Sequence, residues 1–272
     1  MTKKEKLQSI IRPEVRERLL DVTESHNPNH RNIQDSAGKS FIGQVQSRLK
    51  KYEALYGALV RTFGPVKLSR SFKEQLASLF AAYSSDHVIL NIGSGPDHLS
   101  AREDVINMDI FPFKNVDVLA DATDMPIVDK SVDLIICVAM LEHVPKPQAV
   151  IHECMRVLRP GGLMISYLPF IQPGHAAPDD YLRWAPAGVL LMPDGFEVVK
   201  TGIGAGPTSG FLWVFEEWVA MLLSLGSRRI HDIILLLIMP VLSPLKLLDI
   251  CMERLPNADK IASGFYVVAR KR

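Results

Sequence analysis

The stretch that most constrains the fold of this chain, residues 88–99, joins an apolar run to a glycine turn. Val88 to Ile92 predicts a short buried strand, and Gly93-Ser94-Gly95 turns sharply out of it. Glycine reaches backbone angles that a Cβ forbids, and it lets a ligand lie against the main chain. A helix beginning at Asp97 would point unpaired N–H groups at the same place. This unit is typical of nucleotide-binding α/β domains.

The chain beyond this unit predicts alternating strands and helices. Strands are predicted over 105–109, 116–120, 132–138, 163–168, 196–203 and 264–270, with helices over 148–158 and 181–192. Such alternation favours a doubly wound, mostly parallel sheet with helices on both faces. Ligands of such sheets bind at the carboxyl ends of the strands. We therefore expect Gly93, Asp109, Asp121 and residues 137–139 to share one rim.

These motifs, in their order and spacing, resemble the class I S-adenosyl-L-methionine-dependent methyltransferases. The Leu-Arg-Pro-Gly-Gly run over residues 158–162 is similar to a small-molecule subgroup of that family, in which the turn precedes strand five. The resemblance covers residues 85–203 and the last strand. It implies a seven-stranded Rossmann-like methyltransferase fold, an antiparallel last strand and S-adenosyl-L-methionine as the cofactor.

The resemblance also implies a set of cofactor-binding residues. The set is Asn91, Gly93, Ser94, Gly95, Asp109, Ile110, Asp121, Ala122, Cys137 and Val138. The glycines would lie against the methionine part, and Asp109 would accept the ribose hydroxyls. Asp121 would take the adenine amino group, although a helix N-cap remains open for it. Asn91 stands where the family usually carries Asp or Glu, which implies weaker attraction for the cofactor's ammonium group.

Methyl transfer depends mainly on the alignment of acceptor, methyl group and sulfur. An oxygen acceptor also needs a base, and a histidine of near-neutral pKa suits that task. We expect His175, in the loop after strand five, to be the first candidate and His143 the second. Asp179 and Asp180 could orient a histidine or a substrate, but solvated or helix-capping roles are favoured for both.

The glycine pair Gly161-Gly162 is expected to cap the helix predicted over 148–158 at its carboxyl end.

Other functions are weighed against this one. A dinucleotide-binding oxidoreductase needs a third glycine at position 98, which is His98 here. A non-catalytic cofactor-binding module is supported mainly by Asn91. A nucleic-acid methyltransferase is disfavoured because 31 basic residues balance 30 acidic ones, without a basic strip. We expect O-methylation of a small-molecule or lipid-linked acceptor, such as a sugar or glycan intermediate.

We divide the chain into four parts. Residues 1–84 form an N-terminal helical extension and lid, 85–203 the cofactor-binding core, 204–262 an apolar helical insertion, and 263–272 the last strand. Capping-box spacing at Ser71 to Glu74 predicts the start of a helix before the first strand. Residues 202–210 are expected to be a flexible glycine-rich joint.

Residues 211–248 are unusually apolar, but the uncharged run over 233–242 is too short for a spanning helix of about 20 residues. Packing on the domain or at a homodimer interface, peripheral membrane contact and a true span all remain open. No secretory signal is seen at the N-terminus, so a cytoplasmic protein is expected, with peripheral contact at the inner membrane face as the variant. Cys137, Cys154 and Cys251 are scattered, and we expect free thiols and no metal site.

Overall fold

The computed structural model describes residues 1–15, 64–96, 102–175 and 179–272. Its helices are α1 (Lys3–Ile10), α2 (Arg70–Ala82), α3 (Pro147–Val157), α4 (Pro186–Leu191), α5 (Pro207–Leu223), α6 (Arg228–Leu242) and α7 (Asp249–Met252). Short 3-10 helices span Leu141–His143, Ser243–Leu248 and Ala258–Ile261. The strands are β1 (Ile89–Ile92), β2 (Ile106–Asp109), β3 (Val118–Leu119), β4 (Val132–Val138), β5 (Leu158–Pro169), β6 (Phe196–Ala205) and β7 (Gly264–Lys271).

The strands of the described ranges form one seven-stranded sheet in the order β3-β2-β1-β4-β5-β7-β6. Pairs from β3 through β5 are parallel, and β7 is antiparallel to both β5 and β6. The strand order reverses between β1 and β4, which opens a crevice at their carboxyl ends. The predicted fold class, a mostly parallel methyltransferase-type sheet with an antiparallel last strand, is confirmed.

The sheet is buried on both faces, as continuous apolar strands require. All four residues of β1 are buried, and so are the first six of β4. On one face α2 packs Phe72, Leu76 and Leu79 against the strands. On the other face α3 contributes Val150, Ile151, Cys154 and Val157 to the larger cluster.

The end of α3 differs from the prediction. The helix ends at Val157, and Leu158 already pairs with Val132 as the first residue of β5. The next pair joins Leu134 to Leu163, so the residues between bulge out of the ladder. Gly161 adopts the left-handed conformation (φ +77°) within that bulge. The predicted helix cap at Gly161-Gly162 is therefore wrong, because sheet pairing removes Leu158 from the helix.

Two helix starts also differ from the predictions. The side chain of Ser69, not Ser71, caps α2 by accepting the backbone N–H of Phe72. Helix α4 begins at Pro186 and not near Tyr181. Proline lacks an N–H and fits only the first turn, so it marks the start of the helix and leaves 181–185 irregular.

The predicted flexible joint over 202–210 is wrong. Gly202 and Gly204 lie inside β6, and α5 begins at Pro207. A Cβ on Gly202 would lie 2.9 Å from the ring of Tyr266, and one on Gly204 would lie 2.6 Å from the ring of Tyr167. These glycines therefore make room for aromatic side chains in a regular strand.

The apolar segment forms an antiparallel helix pair that leaves much of its surface uncovered. Asp249 of α7 ties the end of this segment back to its beginning, because its carboxylate accepts backbone N–H groups of Thr208 and Ser209 in the first turn of α5. Leu235 is the buried residue of α6, while Leu237 is 67% and Val241 72% exposed. The helical run Arg228–Met252 is, by length and composition alone, long and apolar enough to cross a membrane, and 22% of its most apolar 18 residues are buried.

Some predictions lie outside the described residues. These are the part of the predicted N-terminal helical extension and lid that falls within residues 16–63, and the helix expected from Asp97. The division of the chain into parts at residues 84, 203 and 262 also remains a prediction.

Candidate functional site

The glycine turn after β1 lies against the loop that follows β4. Gly93 has a φ of +63°, and a Cβ there would lie 2.2 Å from Cγ of Met140. Gly95 has a φ of +61°, but a Cβ on it would lie within 4 Å of none of the described residues. Gly93 is therefore required by both conformation and packing, whereas Gly95 is required by conformation and leaves room for a ligand beside the turn.

Asp109 ends β2 and holds the glycine turn in place. One carboxylate oxygen accepts the backbone N–H of Gly95 at 2.8 Å, and the other accepts that of Phe111 at 2.9 Å. Each oxygen of an ionised carboxylate keeps a second acceptor position, so two further hydrogen bonds can be made. The side chain can thus position the turn and bind a vicinal diol at the same time.

Asn91 lies below the turn, in the middle of a polar network. Its amide donates to the side-chain oxygen of Asn107 at 3.0 Å, and Asn107 donates to the carbonyl of Asn115. Asn115 in turn donates to the carbonyl of Gly95. The amide N–H of Asn91 is thus engaged within the sheet, and the network connects β1 and β2 to the glycine turn.

Ile110 and Asp121, two further residues predicted to bind the cofactor, follow β2 and β3. Ile110 is 39% exposed. Asp109 pairs with Leu119 on β3, two residues before Asp121. Asp121 accepts the N–H and hydroxyl of Thr123, both at 2.8 Å, in a turn that no helix follows. The alternative role of Asp121 as a helix cap is therefore wrong.

The side chain of Cys137 is buried in the core, so β4 presents backbone to the rim there. Burial raises the pKa of this thiol well above its ordinary value. Cys137 and Cys154 are buried free cysteines, as predicted from the apolar pattern, and Cys251 is an exposed one. Val138 is partly exposed, and Ala139 turns the chain with a φ of +51°. A non-glycine residue in this conformation is strained and often marks a functional turn.

Glu142 follows this turn and carries an unusual carboxylate. Its side chain is 1% exposed, and neither oxygen has a hydrogen-bond partner among the described residues. Burial raises the pKa of this acid to about 7. Burying a carboxyl group without a hydrogen-bond partner lowers the stability of the folded protein, so a functional role for Glu142 is indicated.

His143 and His175 lie beside Glu142. Nε2 of His143 is 3.8 Å from a Glu142 oxygen, and the two imidazole rings pack edge to face with centroids 5.2 Å apart. Nδ1 of His143 is 2.6 Å from the carbonyl oxygen of Asp179, which can only accept, so this nitrogen carries the proton. Burial lowers the pKa of His175. The two predicted histidines are thus brought together.

An ion pair holds the segment that carries His175. Asp180 accepts the backbone N–H of His175 at 2.8 Å and two hydrogen bonds from the guanidinium of Arg183. Burial pushes the pKa of Asp180 up, but the Arg183 and His175 bonds outweigh it and bring the pKa to about 2. The expected solvated or helix-capping role of Asp180 is wrong, since its side chain is 10% exposed and binds Arg183.

The helix pair begins at the same place. The ring of Trp213, in the second turn of α5, packs on His175 with centroids 5.1 Å apart. Sequence reasoning missed Trp213, Arg183 and the burial of Glu142. A Glu-His pair after a strand was visible, but no local signal showed that His175 and Tyr181 contact it.

The chain was compared with known proteins. Residues 90–166 match a family described as a methyltransferase domain. An uncharacterized methyltransferase of Mycobacterium avium is 36% identical over 101 residues, which cover 35% of this chain and 38% of the relative. A ubiquinone biosynthesis O-methyltransferase of Klebsiella pneumoniae is 57% identical over 30 residues, which cover 11% of this chain and 12% of the relative. The chain thus matches well under half of the length of these curated relatives.

Solved structures show a distant likeness. A phosphoethanolamine N-methyltransferase of Haemonchus contortus, in complex with S-adenosyl-L-methionine, has a TM-score of 0.45 and 15% identity, covering 74% of this chain and 52% of that one. A SAM-dependent methyltransferase of Aquifex aeolicus has a TM-score of 0.42 and 18% identity, covering 58% and 92%. Scores this low carry no argument about activity.

The residue assignments at the rim remain predictions. The family match and the strand order together support a class I methyltransferase domain whose cofactor is S-adenosyl-L-methionine.

Proposed function

We propose that this chain transfers the methyl group of S-adenosyl-L-methionine to an oxygen of a small-molecule or lipid-linked acceptor. Residues at the ends of β1 to β4 would bind the cofactor, with Asp109 on the ribose and Gly93 and Gly95 against the methionine part. The acceptor would enter between the loop after β4 and the start of α5. Its oxygen attacks the methyl carbon while the C–S bond breaks and leaves its electron pair on sulfur.

The observation that carries this proposal is the pair of histidines beside a buried acid at the carboxyl end of β4. The acceptor hydroxyl must lose its proton, and His175 or His143 can take it because a neutral imidazole has a lone pair to offer. The low pKa of buried His175 keeps that ring neutral at physiological pH. Asp180 and Arg183 would keep the ring in place through the backbone.

The helix pair supports an acceptor at a lipid surface. The turn between α5 and α6 exposes Leu222, Leu223 and Leu225, the last at 91%, next to the exposed Arg228 and Arg229. Apolar side chains flanked by arginines suit an anionic membrane, where the former enter the interface and the latter bind headgroups. The same helix α5 carries Trp213, whose ring packs on His175. We therefore propose a cytoplasmic protein that docks peripherally on the inner membrane face.

A second candidate is a non-catalytic module that binds the cofactor for regulation. It is favoured by Asn91, which supplies no negative charge for the cofactor's ammonium group and donates its amide to Asn107. Such a module would bind S-adenosyl-L-methionine without consuming it in the presence of any acceptor.

The two candidates differ in a methyl-transfer experiment. The purified full chain is incubated with S-adenosyl-L-methionine carrying a labelled methyl group, with either a membrane-lipid extract or the aqueous extract of the same cells. We expect label in the lipid fraction, and loss of that label in His175→Gln. Cofactor binding without label in either fraction would favour the non-catalytic module.

Two controls separate the causes of a loss. Asp109→Asn should remove labelling by weakening cofactor binding, whereas His175→Gln should leave cofactor binding intact. His152→Gln, on the exposed side of α3, changes a histidine outside the site and should label normally.

A further inference from the structure

We propose that Glu142, His143 and His175 form a binding site for a divalent first-row transition metal, a site that the sequence alone did not indicate. One ligand atom from each residue lies within 4.8 Å of those of the other two. Two imidazoles and one carboxylate are a donor set that suits Zn²⁺, Fe²⁺ or Mn²⁺.

The unpartnered carboxylate of Glu142 is the first independent support. Both oxygens are buried without a hydrogen-bond partner among the described residues, although histidine nitrogens lie nearby. A bound cation would satisfy these lone pairs, which neither neutral imidazole does in the metal-free geometry. A role as a metal ligand therefore explains why the Glu142 carboxylate is buried without a partner, whereas a role in packing does not.

The hydrogen bonds of the histidines are the second support. A metal-binding imidazole usually donates its other ring N–H to a carbonyl or carboxylate, which orients the ring and leaves the free nitrogen for the metal. Nδ1 of His143 lies 2.6 Å from the carbonyl oxygen of Asp179, and Nδ1 of His175 lies 3.2 Å from that of Pro173. His143 therefore holds Nε2 as the nitrogen available to a cation. Nδ1 of His175 also lies 3.3 Å from Nη2 of Arg183, which can only donate, so the Pro173 contact orients the His175 ring without fixing which nitrogen is protonated.

The distances fit a site that closes slightly on binding. Ligand–metal bonds of about 2.0–2.2 Å place ligand atoms roughly 3 to 4.4 Å from one another. The three ligand atoms now lie within 4.8 Å of one another, so each needs to move by about 1 Å or less to reach these bond lengths. Rotation of the histidine side chains allows this movement. Three protein ligands leave coordination positions open, as in catalytic metal sites and unlike closed structural ones.

The inferred role rests on the proposed function. With the cation bound, the histidines hold the metal and no longer take the acceptor's proton themselves. An acceptor hydroxyl on an open position would have its pKa lowered by the cation, so that its proton passes to water and the oxygen attacks the methyl carbon. Metal binding itself does not depend on that function, because it needs neither cofactor nor acceptor.

The test is a titration of Zn²⁺ into the full chain after chelator treatment, followed by calorimetry, with Co²⁺ absorption as a second readout. We expect one equivalent bound at micromolar or lower Kd. Glu142→Gln, His143→Gln and His175→Gln should each weaken that binding at least tenfold. The matched control is His231→Gln, because His231 lies beside the carboxylates of Glu217 and Asp232 on the surface and could bind metal adventitiously.

Stability distinguishes a ligand from a packing residue. In the metal-free protein Glu142→Gln should melt no lower than the parent chain, because it removes an unpartnered buried acid. Saturating Zn²⁺ should raise the melting temperature of the parent and not that of Glu142→Gln. Absence of saturable binding, or binding that only His231→Gln removes, overturns the proposal. S-adenosyl-L-methionine binding by the metal-free chain, measured in parallel, tests the proposed function separately.

Discussion

Gly93 and Gly95 illustrate how two identical residues in one turn serve different needs. Both adopt a left-handed φ, which costs a side-chain-bearing residue on the order of 1 kcal/mol. Among the described residues, a Cβ on Gly93 meets a neighbour and one on Gly95 does not, because the Met140 side chain occupies the space that a Cβ on Gly93 would take. Met140 also leads directly into the Glu142–His143 pair, so the packing of this glycine links the cofactor side of the rim to the acceptor side.

We therefore expect Gly93→Ala and Gly95→Ala to differ. Gly95→Ala should lower the free energy of unfolding by roughly 1 kcal/mol through strain alone. Gly93→Ala should cost about 1–3 kcal/mol more, because Met140 must shift as well. Urea denaturation of the two variants checks this, and equal losses would contradict the packing role of Gly93.

At this scale the sequence predicted that Asp109 ends β2 and that the glycines follow β1, because these places follow from the order of strands. Their part in binding a cofactor stays a prediction. The bonds from Asp109 to Gly95 and Phe111 agree with a residue placed at the rim. The burial of Glu142 could not be predicted. It depends on residues 170–175 and 179–183, which are held by contacts such as the bond from the Tyr181 N–H to the Glu142 carbonyl, 39 residues apart in sequence.

Among the elements, strands were predicted more accurately than helix ends. Apolar runs define β1, β2 and β4 because each is buried on both faces of the sheet. The end of α3 was misjudged, since Gly161 carries the backbone angle of a helix cap but lies in a bulge of β5. The local sequence fits a helix cap and a strand bulge equally well, and only the long-range pairing of β5 with β4 decides between the two structures.

The α5–α6 pair is the element whose function most needs testing. Replacing two exposed residues of α6 by Leu237→Glu and Val241→Glu should weaken binding to vesicles of anionic phospholipid at least tenfold, because charge is costly in the interface. Co-sedimentation measures the binding. Val199→Glu, exposed on β6, is the control and should bind normally. Vesicle binding that is unchanged by the α6 substitutions would contradict the membrane proposal.

At the scale of the whole molecule, a buried ion cluster joins the N-terminal helix to the sheet. Lys6 is fully buried, and its ammonium group donates to the His87 carbonyl at 2.6 Å and to Asp104 at 3.0 Å. Arg102 makes two hydrogen bonds to the same carboxylate. These bonds, chiefly the one from Arg102, hold the pKa of Asp104 well below its usual range.

The stability of the chain should therefore fall in acid through Asp104. Because its pKa is lower in the folded state, its contribution is complete above the unfolded value of about 4 and is lost as the pH falls towards the folded value. Asp104→Asn should destabilise the protein at neutral pH and lose less stability below about pH 4 than the parent does. Melting temperatures at several pH values test this, and parallel curves would contradict it.

The most direct test of the account is calorimetric titration of the purified full chain with S-adenosyl-L-methionine, S-adenosylhomocysteine and NAD. We predict micromolar binding of the first two and none of NAD. Asp109→Asn should weaken binding by about 10- to 100-fold, as expected for hydrogen bonds to a charged group. A folded chain that binds neither of the first two, or that binds NAD instead, would contradict the assignment of the rim to this cofactor.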